Sequence, residues 1–188
     1  VSEKTGAAKQ EIHAALEAVA RIKDGDVLAI QGSGGGVGEP TTVLRAIRAR
    51  FLADHAPRDL TLVHAAGLGD RQEIGTDLLA LQGLVKRDIA GHLGMAPKMA
   101  EMILANKIES YNFPQGVLSQ MFSAIAARKP GVFSKVGLHT FIDPRLEGGK
   151  DEPRDSRRSA PRRALRWRGM ALLAPVPHRC GTGARHDG

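Results

Sequence analysis

Val27-Leu28-Ala29-Ile30-Gln31-Gly32-Ser33-Gly34-Gly35-Gly36-Val37-Gly38-Glu39-Pro40 joins a short apolar run to a turn crowded with glycine and closes on a proline. Residues 27–30 read as a buried strand. The glycines permit positive φ and close approach of a ligand to the backbone. Pro40 suits the first turn of a helix, whose apolar stripe would be Val43, Leu44, Ile47 and Phe51. A helix start following a glycine turn offers unpaired N–H groups and the positive end of a dipole to a phosphate or a developing oxyanion. The turn does not end in the Gly-Lys-Ser/Thr of a nucleotide-binding P-loop, and Glu39 would repel a phosphate. Its spacing also misses the dinucleotide fingerprint. An acyl or thioester ligand fits better than a nucleotide, and a turn serving structure alone is the competing reading.

Working outward, the same alternation recurs. Residues 10–22 carry Ile12, Leu16 and Val19 at helical spacing and stop at Lys23-Asp24-Gly25-Asp26. Residues 60–63 form a second β-rich run. Residues 76–84 are predicted helical, 88–90 the end of a strand, 97–106 helical, 108–113 extended and 115–128 an amphipathic helix. The last would present Val117, Leu118, Met121, Phe122 and Ile125 on one side. Strand–helix alternation with short connections predicts an α/β fold: a mainly parallel sheet flanked by helices.

Further candidates lie where strands end. Ala66-Gly67-Leu68-Gly69-Asp70-Arg71 follows the second strand, where open α/β sheets place their ligand crevice. Asp70 and Arg71 could orient a substrate or pair with each other. His64, His92 and His139 lack an identifiable nucleophile partner and read as structural histidines. In Tyr111-Asn112-Phe113-Pro114-Gln115-Gly116-Val117, Gln115 could donate a hydrogen bond to an oxyanion beside the helix dipole. It could equally cap its own helix.

Composition narrows the alternatives. The 188 residues carry a formal charge of +7. Residues 1–150 hold 18 basic and 16 acidic side chains, whereas residues 151–188 hold nine arginines, no lysine and four acidic residues. The basicity thus belongs to the tail, and with one aromatic residue there, Trp167, stacking platforms for nucleic acid are missing. Neither nucleic acid nor membrane is an expected partner. No apolar run approaches the roughly 20 residues of a membrane span. The single cysteine, Cys180, excludes an internal disulfide and a cysteine-based zinc site; no metal is expected, and a cytoplasmic setting is. The expected division is one domain over residues 1–150 and an Arg/Pro-rich tail over 151–188, disordered or translated out of frame.

Taken in order, several segments resemble the family I CoA-transferases of the acetate/propionate type, in which both halves share one chain. The resemblance spans roughly residues 10–150. It rests on Gly34-Gly35-Gly36, Gly67-Leu68-Gly69-Asp70-Arg71, Gln82-Gly83-Leu84-Val85-Lys86 and Gly91-His92-Leu93-Gly94. Tyr111-Asn112-Phe113-Pro114-Gln115-Gly116-Val117-Leu118 adds to it, as does Thr140-Phe141-Ile142-Asp143-Pro144-Arg145 with Gly148-Gly149-Lys150. The resemblance implies the first of two similar α/β halves, with the active site between them. It implies transfer of CoA from an acyl-CoA to a short-chain carboxylate through a glutamyl thioester, with CoA as substrate and no permanently bound cofactor. The glutamate belongs to the second half, so the chain by itself is expected to be inactive. Gln115 maps onto an oxyanion-stabilising glutamine, and Gly34, Gly35, Gly36, Gly69 and Asp70 onto substrate-binding positions. Val37, Met95 and Phe113 are candidates to line the acyl pocket. The expected partner is a second (beta) half or subunit, in a homo- or hetero-oligomer. Loss of the resemblance after Lys150 suggests a truncated or frameshifted gene, with a natural subunit as the alternative. A different class remains: a regulatory α/β module that binds acyl-CoA or a sugar phosphate without turnover.

Overall fold

Leu62 and Val63, adjacent in one strand, enter two different hydrophobic cores. Successive side chains of a strand point to opposite faces of a sheet, so a core lies on each face. The computed structural model describes residues 15–143, 145, 146, 148 and 149, with the backbone of residues 171–173. Ile12, Pro144, Lys150 and most of the 151–188 tail lie outside the described residues.

Four strands, β1 (Val27–Ala29), β2 (Leu60–His64), β3 (Val85–Ala90) and β4 (Glu109–Asn112), pair in sequence order, all parallel. Three connections carry helices: α1 (Thr41–Asp54), a 3₁₀ turn η1 (Gly75–Leu79) and α2 (Pro97–Leu104). Leu44, Ile47 and Phe51 of α1, Leu79 of η1, and Met99 and Ile103 of α2 share one core with Leu60 and Leu62. The crossovers advance across the sheet in one direction, and their common handedness places all three elements on one face. Helix α3 (Gln115–Ala126) packs Leu118 and Met121 against Val63 and Ile89 on the other. The expected parallel α/β architecture is therefore present. Each fully buried Leu or Met contributes about 1.5–3 kcal/mol relative to exposure.

The helix ends are fixed by partners remote in sequence. Arg50 in α1 donates to the carbonyls of Val19 and Ile22, at 2.6 and 2.8 Å, and so ties down the end of the helical turn at residues 15–19. Helix α2 begins with Pro97 at its first position, and its Met99 N–H is capped by Asp77 of η1 at 3.0 Å. Asp77 is buried, and that burial pushes its carboxyl pKa upward against the N–H bonds that oppose it.

One predicted helix is absent. Residues 76–84 form only the short turn Gly75–Leu79, after which residues 82–84 make another turn before β3. Leu78, Leu79, Leu81 and Leu84 imitate helical spacing, but Gly75 and Gly83 take φ of +73° and +89° and bracket the segment with left-handed turns. Beyond α3, β5 (Val132–Ser134) pairs antiparallel with β6 (Ala171–Leu173).

Candidate functional site at the carboxyl ends of the strands

Four loops leave the carboxyl ends of β1 to β4, and close glycine contacts pack them together. The Gly35 N–H donates to the Gly69 carbonyl at 2.8 Å, joining the first loop to the second. A β-carbon on Gly34 would lie 3.3 Å from the Gly67 carbonyl oxygen and 3.6 Å from Met95 Cγ, so first, second and third loops meet there. Gly69 has φ +135°, and a β-carbon on it would come within 2.3 Å of the Met95 carbonyl oxygen. The Arg71 N–H donates to that same carbonyl at 3.0 Å. Gly34, Gly35 and Gly69 thus form one surface.

Gln115 stands at the edge of this surface. It opens α3, behind Pro114, and no side-chain hydrogen bond caps the helix. The self-capping alternative is therefore not the one adopted. Its Cγ would lie 2.6 Å from a β-carbon on Gly91, which would also press to 2.1 Å from the Ala65 carbonyl oxygen. Gly91 accordingly lets Gln115 rest on the end of β2. The side chain is exposed. A β-carbon on Gly116 would meet nothing within 4 Å, so the space before the helix start is open. The Pro114 carbonyl accepts from Val117 and Leu118, at 2.9 and 3.1 Å. The first N–H groups of a helix have no intrahelical acceptor, so this end presents the Gln115 carboxamide beside a partial positive charge.

The Asp70 carboxylate turns to its own loop. Its Oδ1 accepts from the backbone N–H groups of Gln72, Glu73 and Ile74 at 2.9, 3.0 and 3.3 Å. The Gln72 N–H leads the effects that hold its carboxyl below the usual range, with the Glu73 and Ile74 donors adding to it. Asp70 shapes the second loop. Met95 lies against Gly34, whereas Val37 is 71% exposed. Phe113 stacks with Tyr111 at 6.3 Å between ring centroids, and its ring would lie 3.1 Å from a β-carbon on Gly149. The Asn112 N–H donates to the Gly149 carbonyl at 2.6 Å, which seats the Gly148-Gly149 pair at the end of β4.

Beneath the glycine surface lies a pair that the sequence did not disclose. His64 is 1% exposed and Asp88 is fully buried. His64 Nε2 lies 3.0 Å from Asp88 Oδ1, and its Nδ1 lies 2.6 Å from the Ala66 carbonyl oxygen. Both ring nitrogens face oxygen atoms, an arrangement that favours the doubly protonated imidazolium. Burial alone would lower the His64 pKa, but Asp88, then the Ala66 carbonyl, then Glu39 outweigh it and raise it. His64 is thus held inside the fold by Asp88 and the Ala66 carbonyl, and it anchors the loop on which Gln115 rests. The His92 ring packs between Gly67 and Gly94. The His139 N–H donates to Asp143, whose carboxyl is held far below the carboxylate range, chiefly by the Arg145 guanidinium.

The surface is open. Gly34, Gly35, Val37 and Gln115 are all exposed. A hollow of about 170 Å³ lies at the opposite end of the sheet, against Asp59, Lys86 and Asn106. Among the described residues, no cluster of three or more His, Cys, Asp or Glu is placed to hold a metal, and no helix is long and apolar enough to cross a membrane.

Comparison with known proteins agrees with the parallel α/β fold. The sequence model of the Coenzyme A transferase family matches residues 12–175, continuing past Lys150. Over 136 residues the chain is 45% identical to the acetate CoA-transferase YdiF of Escherichia coli K12, and 41% identical to the caffeate CoA-transferase of Acetobacterium woodii. Each alignment covers 72% of this chain and 26% of the relative. The crystal structure of the acyl-CoA transferase YdiF from Escherichia coli O157:H7, a thioester complex with CoA, superposes with a TM-score of 0.79 at 36% identity. That match covers 86% of this chain and 33% of the other. The chain therefore spans about a quarter to a third of the length of these proteins.

Proposed function

Because the chain belongs to the coenzyme A transferase family, we propose that it forms the first half of an acyl-CoA:carboxylate CoA-transferase and supplies the oxyanion-binding side of the active site. The observation that carries this is the placement of Gln115: exposed, uncapped, at a helix start, and seated on Gly91 and Ala65 beside the glycine surface. Attack on a thioester carbonyl turns its oxygen into an oxyanion. A carboxamide N–H donated by Gln115, with the N-terminal dipole of α3, would stabilise that charge more than the neutral carbonyl. The glycines at positions 34, 35, 36 and 69 let the acyl-CoA approach the backbone without side-chain obstruction.

The nucleophile is a glutamate carried by a second half, whether on the same polypeptide or on a partner subunit. It takes up CoA as a glutamyl thioester and passes it to a short-chain carboxylate, which divides one difficult transfer into easier steps. The open crevice supports this division, since the exposed Gln115 and Val37 await a covering surface. No separate cofactor is required by these steps. The setting is cytoplasmic, where acyl-CoA and free carboxylates meet. Relatives of similar identity are an acetate CoA-transferase and a caffeate CoA-transferase, and the substrate is a carboxylate of this class.

The test is Gln115→Ala in the chain combined with its second half. Loss of one oxyanion donor lowers kcat about 10²–10³-fold, with a much smaller change in KM for acyl-CoA. Unchanged kcat would remove Gln115 from the mechanism.

A further inference from the structure

Glu39 closes the glycine turn, and its charge makes it an awkward neighbour for an anionic ligand when judged by sequence. In the structure the carboxylate turns inward. Its Oε1 accepts from the Gly69 N–H at 2.8 Å and from the Gly36 N–H at 3.3 Å. One oxygen thus joins the loop after β1 to the loop after β2, beside the direct Gly35–Gly69 bond. The space around it is made for it: a β-carbon on Gly32 would fall 2.8 Å from both Glu39 Cγ and Leu68 Cδ2. Its Oε2 is buried and has no hydrogen-bond partner among the described residues. A buried polar atom without a partner costs free energy, so folding alone would favour a smaller or neutral side chain here.

We infer that Glu39 is a positioning residue of the CoA-transfer site, its carboxylate clamping the glycine turn at Gly36 to the second loop at Gly69. The inference rests on the proposed function, because it assigns these two loops to the acyl-CoA. Two consequences follow from the geometry. The clamp fixes the spacing between Gly34 to Gly36 and Gly69, the backbone that the substrate would approach. It also occupies the Glu39 charge with two donors, so that the loop does not present a bare carboxylate to an anionic substrate. A displacement of about 1 Å at such a surface is enough to lower turnover 10²-fold.

Glu39→Ala removes the acceptor, whereas Glu39→Gln keeps an oxygen at the Oε1 position and discards the charge. Two readouts separate this inference from the function it rests on. The first is amide hydrogen exchange at Gly36 and Gly69 in the full chain alone. Both amides are expected to be protected in the parent and in Glu39→Gln, and to exchange at least tenfold faster in Glu39→Ala. The second is CoA transfer in the chain combined with its second half. There Glu39→Ala is expected to lose about 10²-fold in kcat with less than a threefold change in KM, and Glu39→Gln to stay within about threefold of the parent. If Glu39→Gln loses as much turnover as Glu39→Ala, the carboxyl acts by its charge or its proton and the clamp is wrong. Parent-like turnover and exchange in Glu39→Ala overturn it as well. If Glu39→Ala does not fold, the Glu39→Gln results decide alone. If the combined parent shows no transfer, the function has failed, and the clamp then stands or falls on the exchange of Gly36 and Gly69.

Discussion

Gly91 sits so tightly beneath Gln115 that a β-carbon on it would fall 2.6 Å from the Gln115 Cγ and 2.1 Å from the Ala65 carbonyl oxygen. The Gln115 side chain can lie against the chain leaving β2 only because residue 91 has no side chain. The oxyanion side of the proposed site is therefore a packing consequence of one glycine.

Gly91→Ala tests this contact. The methyl group meets the Ala65 backbone, which cannot give way by a rotamer change, so the chain after β2 or β3 must shift and the Gln115 side chain must leave its seat. Overpacking of this kind costs about 1–3 kcal/mol, and the combined enzyme should lose at least tenfold in kcat. Thermal unfolding with steady-state assay reads both. A variant with parent stability and turnover would show that Gln115 does not depend on this seat.

Gly116 gives the opposite combination. It lies within α3, and an added β-carbon meets nothing within 4 Å. Gly116→Ala should stabilise the fold by about 0.5–1 kcal/mol, a rise of roughly 1–4 °C in Tm. If the acyl-CoA approaches this helix start, the same methyl group stands in its way, and kcat/KM should fall at least tenfold. A more stable and fully active variant would move the substrate elsewhere.

Much of this site was legible in the sequence because it is built from local chemistry. The glycine turn between an apolar run and Pro40, Pro97 at a helix start and the Pro114-Gln115 junction each announce themselves within a few residues. What stayed hidden depends on register. His64 and Asp88 are 24 residues apart, and they meet because parallel pairing sets Leu62 beside Asp88 and His64 beside Ala90. Asp88 follows Lys86 and Arg87 in β3, so in the sequence it reads as one more charge of a partly exposed strand. The inward turn of Glu39 is hidden for a related reason: its charge is local information, but the N–H of Gly69 that it accepts from lies 30 residues away. The helix expected over 76–84 does not form because Gly75 and Gly83 take left-handed φ at either end, which leucine spacing does not reveal.

The buried His64–Asp88 pair makes stability depend on pH. The folded-state pKa of His64 lies above its ordinary value of 6.5. Its contribution is therefore fully present below about pH 6.5 and is lost as pH rises through the raised folded value. His64→Gln should abolish this dependence and leave Asp88 buried without its cation, at a cost of about 3–5 kcal/mol. Denaturant unfolding from pH 5 to 9 checks both. If parent and variant show the same slope, His64 is not the buried imidazolium described.

The most direct test of the whole account is CoA transfer from acetyl-CoA to a short-chain carboxylate, measured with the purified chain alone and again with a second half supplied. The chain alone is expected to show no transfer and the combination to show it, with a glutamyl–CoA thioester trapped on the second half. Robust turnover by the chain alone, or a thioester formed on one of its own glutamates, would contradict it.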